Sequence, residues 1–228
     1  MDDRIRTYCI DVRQFDEEKY RHAYEVLSPY RRQKIALLKH EQDKKRSIGA
    51  AVALDRALMG YGLRERMMEY GVGRHGKPYL RDYPEIFFSL SHSGDYAICS
   101  IGSKPIGNDV EKVKEGRLQV AQRFFSLQET AWIYRVEDRR EQEDRMFRLW
   151  TMKESFLKVT GLGMSLPLNS FTVVNKRDDS FFIEHDVNEK VYYFKEYNKW
   201  MYRFDEGYRL AVCSESASFS DEPELITL

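Results

Sequence analysis

The sequence predicts an α+β fold built from two similar α+β subdomains, residues 1–103 and 104–228, and three observations carry that reading. Apolar residues recur at helical spacing in two stretches, β-like runs with turn chemistry flank them, and Ser103-Lys104-Pro105 interrupts the chain near its middle. Both halves run strand, helices, strands, although no internal repeat is strong enough to prove a duplication.

Residues 5–12 read as a strand. Ser28-Pro29 joins a helix N-cap to proline at the first helical position, so a helix or two follows. Ile48, Ala51, Leu54 and Leu58 share one helical face, which Gly60-Tyr61-Gly62 ends. Phe87-Phe88 then enters a hairpin, Ser91-His92-Ser93-Gly94-Asp95 turns it, and Tyr96-Ala97-Ile98-Cys99 returns, which puts His92 at the tip. In the second half residues 106–111 form a strand, and Ser126-Leu127-Gln128-Glu129 is a capping box. A helix over 146–159 stops at Gly161-Leu162-Gly163, followed by short strands over 171–174, 181–184, 191–195 and 208–213.

The 37 basic residues balance 37 acidic ones, which argues against a nucleic-acid partner held by a whole-surface field and makes any anion site local. Cys9, Cys99 and Cys213 each sit in an apolar run without metal or redox spacing, so they are expected to be buried free thiols in a reducing compartment. The N-terminus lacks the order of a signal peptide, and no apolar run reaches the ~18 residues of a membrane span. A cytoplasmic protein that makes no use of a membrane is expected.

The chemistry concentrates in Gly107-Asn108-Asp109-Val110-Glu111 and in the segment from Trp150 to Lys158. In a strand, alternation puts Asp109 and Glu111 on one face. In the helix, Glu154 lies one turn from both Trp150 and Lys158. Three oxygen donors beside a cation suit a hard ion such as Mg²⁺, which completes its shell with water and substrate phosphates. Taken separately, the acids also fit a solvated strand end, and Glu154 with Lys158 an ordinary surface pair. Arg31, Arg32, Lys34, Lys39, His40, Lys44, Lys45 and Arg46 fit either a solvated helix face or a phosphate pocket. Gly76-Lys77-Pro78 is a rigid turn bearing a cation, and His92 is either structural or a loop donor.

Taken together, Gly76-Lys77-Pro78, Leu90-Ser91-His92-Ser93, Gly107-x-Asp109-Val110-Glu111, Arg123-Phe124-Phe125-Ser126 and Trp150-x-x-Lys153-Glu154-x-x-x-Lys158 resemble, in order and spacing, the 4′-phosphopantetheinyl transferases of the Sfp type. The likeness runs from Ser28-Pro29 to Leu168. It implies a pseudo-twofold monomer with coenzyme A in the cleft between its halves and an apo acyl or peptidyl carrier protein docking beside it. It further implies transfer of the phosphopantetheine arm to a carrier serine, with release of adenosine 3′,5′-bisphosphate. By position, Asp109, Glu111 and Glu154 would bind Mg²⁺, and Arg31, Lys34, Arg46 and His92 the 3′-phosphate. Ser47, Gly76, Lys77, Pro78 and Ser91 would surround the adenosine, and Lys158 would meet the pyrophosphate. Asp109, Glu154 and Lys158 would form the catalytic group, with Glu154 as general base.

Two positions depart from the family pattern: Asn108 replaces an aliphatic residue and Ser89 replaces an asparagine. Alternation points Asn108 away from the acids, where a buried amide needs partners. Met164, Leu166 and Leu168 offer a surface for the carrier or, equally, a piece of core. Fatty-acid, polyketide, nonribosomal-peptide and lysine-pathway carriers would all present similar helices. A Mg²⁺-dependent phosphodiesterase and an inactive coenzyme A-binding module are the competing readings. The first calls for further metal ligands and the second for a broken acid set.

Overall fold

The computed structural model describes residues 4–176 and 180–228. In chain order the first half holds β1 (Arg6–Asp11), α1 (Glu17–Glu25), α2 (Pro29–Ala36), α3 (Glu41–Met59), β2 (Tyr70–Val72), β3 (Pro78–Leu80), β4 (Phe87–Ser93) and β5 (Tyr96–Gly102). The second holds β6 (Ile106–Lys112), α4 (Leu118–Phe124), α5 (Leu127–Ile133), α6 (Arg139–Thr160), β7 (Thr172–Asn175), β8 (Phe181–Glu184), β9 (Tyr193–Glu196), α7 (Asn198–Met201), β10 (Tyr208–Ser214) and β11 (Glu224–Ile226). The class is α+β. No helix among the described residues is long and apolar enough to cross a membrane.

Two sheets form the centre, one ordered β11-β1-β5-β4 and the other β6-β10-β9. Strand alternation assigns the faces. Tyr8, Ile10, Ala97, Cys99 and Ile101 pack with Ile48, Ala51, Leu54 and Leu58 of α3, as the helical spacing of those four residues predicts. The opposite faces of the same strands, through Cys9, Tyr96 and Ile98, meet Ile106, Val110, Leu210 and Val212 of the second sheet. The outer face of that second sheet carries α6, where Ala211 packs with Met146, Leu149 and Met152, and Cys213 with Phe156 and Leu157. Each sheet thus bears one long helix on its outer side. All three cysteines are free and buried.

The helix starts follow their capping chemistry. The Ser28 side chain accepts from the Arg31 backbone amide, and Ser126 and Glu129 complete their reciprocal capping box. The last long helix is longer than its apolar pattern, because Asp138 caps it two turns ahead of residue 146. The final strand crosses back: Tyr8, Cys9 and Ile10 pair in parallel with Glu224, Leu225 and Ile226. The segment after residue 104 therefore contributes a strand to the first sheet.

The expected hairpin tip needs correction. Ser93 pairs with Tyr96, so the loop is Gly94-Asp95 alone, and Ser91, His92 and Ser93 belong to β4. Gly94, at φ +56°, supplies the left-handed residue that a two-residue hairpin loop requires. Its missing side chain also leaves room for the Tyr208 hydroxyl, which would lie 2.1 Å from a Cβ there.

Gly107 permits a very close packing of β6 on α6. A Cβ at that position would sit 1.8 Å from the Ser155 carbonyl oxygen and 2.5 Å from the Val159 nitrogen. Backbone cannot yield as a side-chain tip can, so Gly107→Ala should cost about 3 kcal/mol or more, at the upper end of overpacking. Urea unfolding measures this; a loss under about 0.5 kcal/mol would show that α6 is not tightly seated on β6.

Candidate active site

Alternation along β6 sends residues 107, 109 and 111 toward α6 and residues 108 and 110 toward the first sheet. Asp109 is buried, and Glu111 is half-buried beside the basic residues Lys112, Lys114 and Arg117. Glu154, half-buried on α6, lines a cleft of about 320 Å³ with Gly76, Lys77, Pro78, Phe88, Ser89, Leu90, Lys158 and Met164 among its walls. The cleft brings the Gly76-Lys77-Pro78 turn of the first half against α6 of the second.

Lys158 reaches from α6 to β6. Its Nζ donates to Asp109 Oδ1 at 2.8 Å and to the Asn108 carbonyl at 2.9 Å. Ser91 Oγ also donates to Asp109 Oδ1, at 2.7 Å, while Asp109 Oδ2 is buried without a hydrogen-bond partner. Burial and the neighbouring Asp109 charge push the Glu111 carboxyl up to about 7, against the opposing pull of the Ser93 hydroxyl and Lys158. Burial and the same Asp109 charge raise Glu154, and Lys158 opposes that rise. Asp109, Glu111, Glu154 and Lys158 therefore form one electrostatic group, drawn from β6 and α6. Among the described residues, no three His, Cys, Asp or Glu side chains are gathered into a cluster that could hold a metal ion.

Three serines whose contacts with the acids the sequence reading did not anticipate organise this group. Ser89, Ser91 and Ser93 occupy one face of β4 and run beside β6. Ser89 Oγ accepts from the Asn108 amide, Ser91 Oγ donates to Asp109, and Ser93 Oγ donates to Glu111 at 2.6 Å while accepting from the Lys112 amide. Their period-2 spacing was the available signal. Asn108 points away from the acids as alternation predicts, and its side-chain amide donates to the Ser89 carbonyl and to Ser100 Oγ, each at 3.0 Å. The two departures from the family pattern are thus in contact.

The basic residues divide. Arg46 bonds to Asp43 and donates to the Gly94 carbonyl at 3.3 Å, tying α3 to the hairpin loop. His92 is exposed. Partial desolvation lowers its imidazole, and Arg46 and Lys158 lower it further. Ser47 follows Arg46 on α3 and is half-buried. Arg31 and Lys34 belong to a second group. Tyr30 stacks on Tyr70 at 4.7 Å, Lys34 lies over Tyr30, and the buried Arg31 lies over Tyr70 with Glu65 3.6 Å from its Nε. Arg31 Nε and Nη2 lack hydrogen-bond partners, whereas Glu65 accepts from Ser28 and Tyr70. No hydrogen bond or ion pair among the described residues joins this group to Arg46 or His92.

Two further placements settle points the sequence left open. Leu168 is buried with Phe156 and Phe171, and Leu166 leans on the same cluster, so this loop turns its apolar residues inward to cover the end of α6. Met164 alone is exposed, on the cleft rim. Lys153 faces away from the cleft and is fully buried, its Nζ 2.5 Å from Glu129 Oε1 and 2.9 Å from the Phe171 carbonyl.

Comparison with known proteins agrees with the motif order. A family model described as the 4′-phosphopantetheinyl transferase superfamily matches residues 105–213. A 4′-phosphopantetheinyl transferase of Bacillus subtilis is 38% identical over 203 residues, covering 89% of this chain and 88% of the relative. The 4′-phosphopantetheinyl transferase Sfp of Bacillus subtilis strain 168 is 36% identical over 217 residues, covering 95% and 93%.

The acid group makes a prediction for the metal-free protein. Glu111 titrates higher folded than unfolded, so the folded state holds the extra proton, and stability falls as pH rises from about 4.5 to about 7. Glu111→Gln removes that loss and should stabilise the protein by on the order of 1 kcal/mol at pH 8, with little effect at pH 4. Thermal unfolding at the two pH values measures it; an equal effect at both would contradict the crowding of the acids.

Proposed function

Because the chain belongs to the 4′-phosphopantetheinyl transferase superfamily, among its Sfp-type members, we propose that it transfers the phosphopantetheine arm of coenzyme A to a serine of an apo acyl or peptidyl carrier protein. The observation that carries the assignment of the chemistry to residues is the electrostatic group of Asp109, Glu111, Glu154 and Lys158, of which Glu154 and Lys158 line the cleft. The division of labour follows the halves: residues 1–103 supply most of the coenzyme A contacts and residues 104–228 the acids.

The residues fit a magnesium ion. The donor set is all oxygen, Asp109 Oδ2 is buried without a donor, and burial together with the Asp109 charge raises both neighbouring carboxyls, which a cation would relieve. Asp109, Glu111 and Glu154 would hold it. When bound, Mg²⁺ supplies neutralisation of the pyrophosphate charge.

The carrier serine oxygen forms a bond to the phosphorus nearest the pantetheine as the bond from that phosphorus to adenosine 3′,5′-bisphosphate breaks. Glu154 accepts the hydroxyl proton, directly or through a water; burial raises its affinity for protons, which strengthens it as a base. Lys158 steadies the leaving phosphate. Phosphoryl transfer asks chiefly for positioning and charge stabilisation, and this inventory supplies both. Gly76, Pro78 and Ser47 border the adenosine, Ser91 acts there through its grip on Asp109, and Arg46, His92, Lys34 and Arg31 serve the 3′-phosphate. The unfilled donors of buried Arg31 support that last role. Met164 on the rim is the apolar contact for the carrier.

The direct test incubates the protein with coenzyme A, Mg²⁺ and an apo carrier, and weighs the carrier by mass spectrometry. The arm should be added by the unsubstituted protein. Glu154→Ala should lower the rate at least about 10²-fold, the lower range for a general base, while leaving the circular dichroism spectrum unchanged. Near-normal turnover would remove Glu154 from the mechanism. Alanine at both Lys34 and His92 should weaken coenzyme A about tenfold more than its 3′-dephospho analogue, the worth of a charge-assisted contact. Equal weakening of both ligands would place the 3′-phosphate elsewhere.

A further inference from the structure

Lys77 is a half-buried cation without a carboxylate partner. Its Nζ donates to the Ile106 carbonyl at 2.6 Å and to the Lys158 carbonyl at 2.7 Å, and among the described residues it makes no ion pair. Desolvation, with the like charge of Lys158, pulls its ammonium down to about 8. An arrangement that desolvates a charge against another charge of the same sign is costly, and no side-chain anion repays it. What it holds accounts for its presence. Ile106 opens β6, three residues before Asp109, and Lys158 lies one turn beyond Glu154 on α6. The two carbonyls thus belong to the two elements that carry the acids.

The turn around Lys77 is itself stiff, since the Gly73 amide donates to the Lys77 carbonyl and the Gly76 amide to the Gly73 carbonyl, each at 2.9 Å. Lys77 lines the cleft with its neighbours Gly76 and Pro78, while its ammonium is taken up by the two carbonyls.

We propose that Lys77 is a positioning residue, a strut from the cleft turn that fixes the separation of β6 and α6 and so the geometry of the three acids. This rests on the magnesium reading above. It differs from the role of a direct adenosine ligand, in which the ammonium would touch the nucleotide.

Titration calorimetry of Mg²⁺ into the full-length protein saturated with coenzyme A tests the proposal, with affinities for coenzyme A and 3′-dephospho-coenzyme A measured in parallel. Lys77→Met should weaken Mg²⁺ about tenfold or more, the usual cost of losing a group that orients metal ligands, and leave the ratio of the two nucleotide affinities unchanged. Lys77→Gln, which keeps an N–H₂ donor, should recover part of the loss and serves as the test if the methionine variant does not fold. Weakened nucleotide binding with normal Mg²⁺ affinity would overturn the proposal in favour of direct contact. A lowered unfolding temperature with both affinities intact would overturn it in favour of a purely structural role. If the unsubstituted protein bound no Mg²⁺ beside coenzyme A, the metal reading itself would fall, and the strut with it.

Discussion

The close seating of α6 on β6 is the constraint from which the site follows. Only a residue without a side chain fits at position 107, where the strand runs against the carbonyl of Ser155. That contact brings a strand whose alternate residues are Asp109 and Glu111 beside a helix whose solvent-side residue is Glu154. Burial and, after it, the Asp109 charge raise the affinity of Glu111 and Glu154 for protons. Lys158, donating to Asp109, offsets part of it. A protein that places such groups together at a cleft stores electrostatic free energy that a cationic ligand releases.

Buried polar links keep the arrangement in register. Hydroxyls of Ser89, Ser91 and Ser93 stitch β4 to β6 where the two sheets are otherwise joined by apolar packing. Behind them Asn108 bonds to Ser100, and Ser100 to Thr7, so the link extends across the first sheet to β1. On the far side of α6 the fully buried Lys153 and Glu129 pair anchors the helix to the start of α5 and, through the Val173 amide, to β7. Such networks add little net stability but strongly penalise rearrangement, because breaking one partner leaves a buried polar group unsatisfied.

Much of this was legible in the sequence. The apolar spacing of Ile48 to Leu58 located α3, and capping chemistry at Ser28 and Ser126 marked helix starts to the residue. The alternation of Asp109 with Glu111 gave their common face. Other features were not legible, for identifiable reasons. Turn-forming residues occupy 91–95, yet only Gly94-Asp95 turns, because Ser91 and Ser93 have partners on β6 that no local pattern reveals. Glu224-Leu225-Ile226 is too short to show a period, and only its pairing with β1 makes it a strand. Leu168 reads as a loop residue but is drawn into the cluster around Phe156. Lys77 and Lys153 look like surface cations in sequence, since burial of a charge depends on carbonyl or carboxylate partners distant along the chain.

The central claim is that acids from β6 and α6 share one cation with the pyrophosphate of coenzyme A. A crystal structure grown with coenzyme A and Mg²⁺ tests it most directly. The account predicts a single octahedral ion at about 2.0–2.1 Å from its nearest oxygens, drawn from Asp109, Glu111, Glu154 and the pyrophosphate, with any remaining acid reached through a water. An ion held by the pyrophosphate and solvent alone, with the three carboxylates turned away, would contradict it.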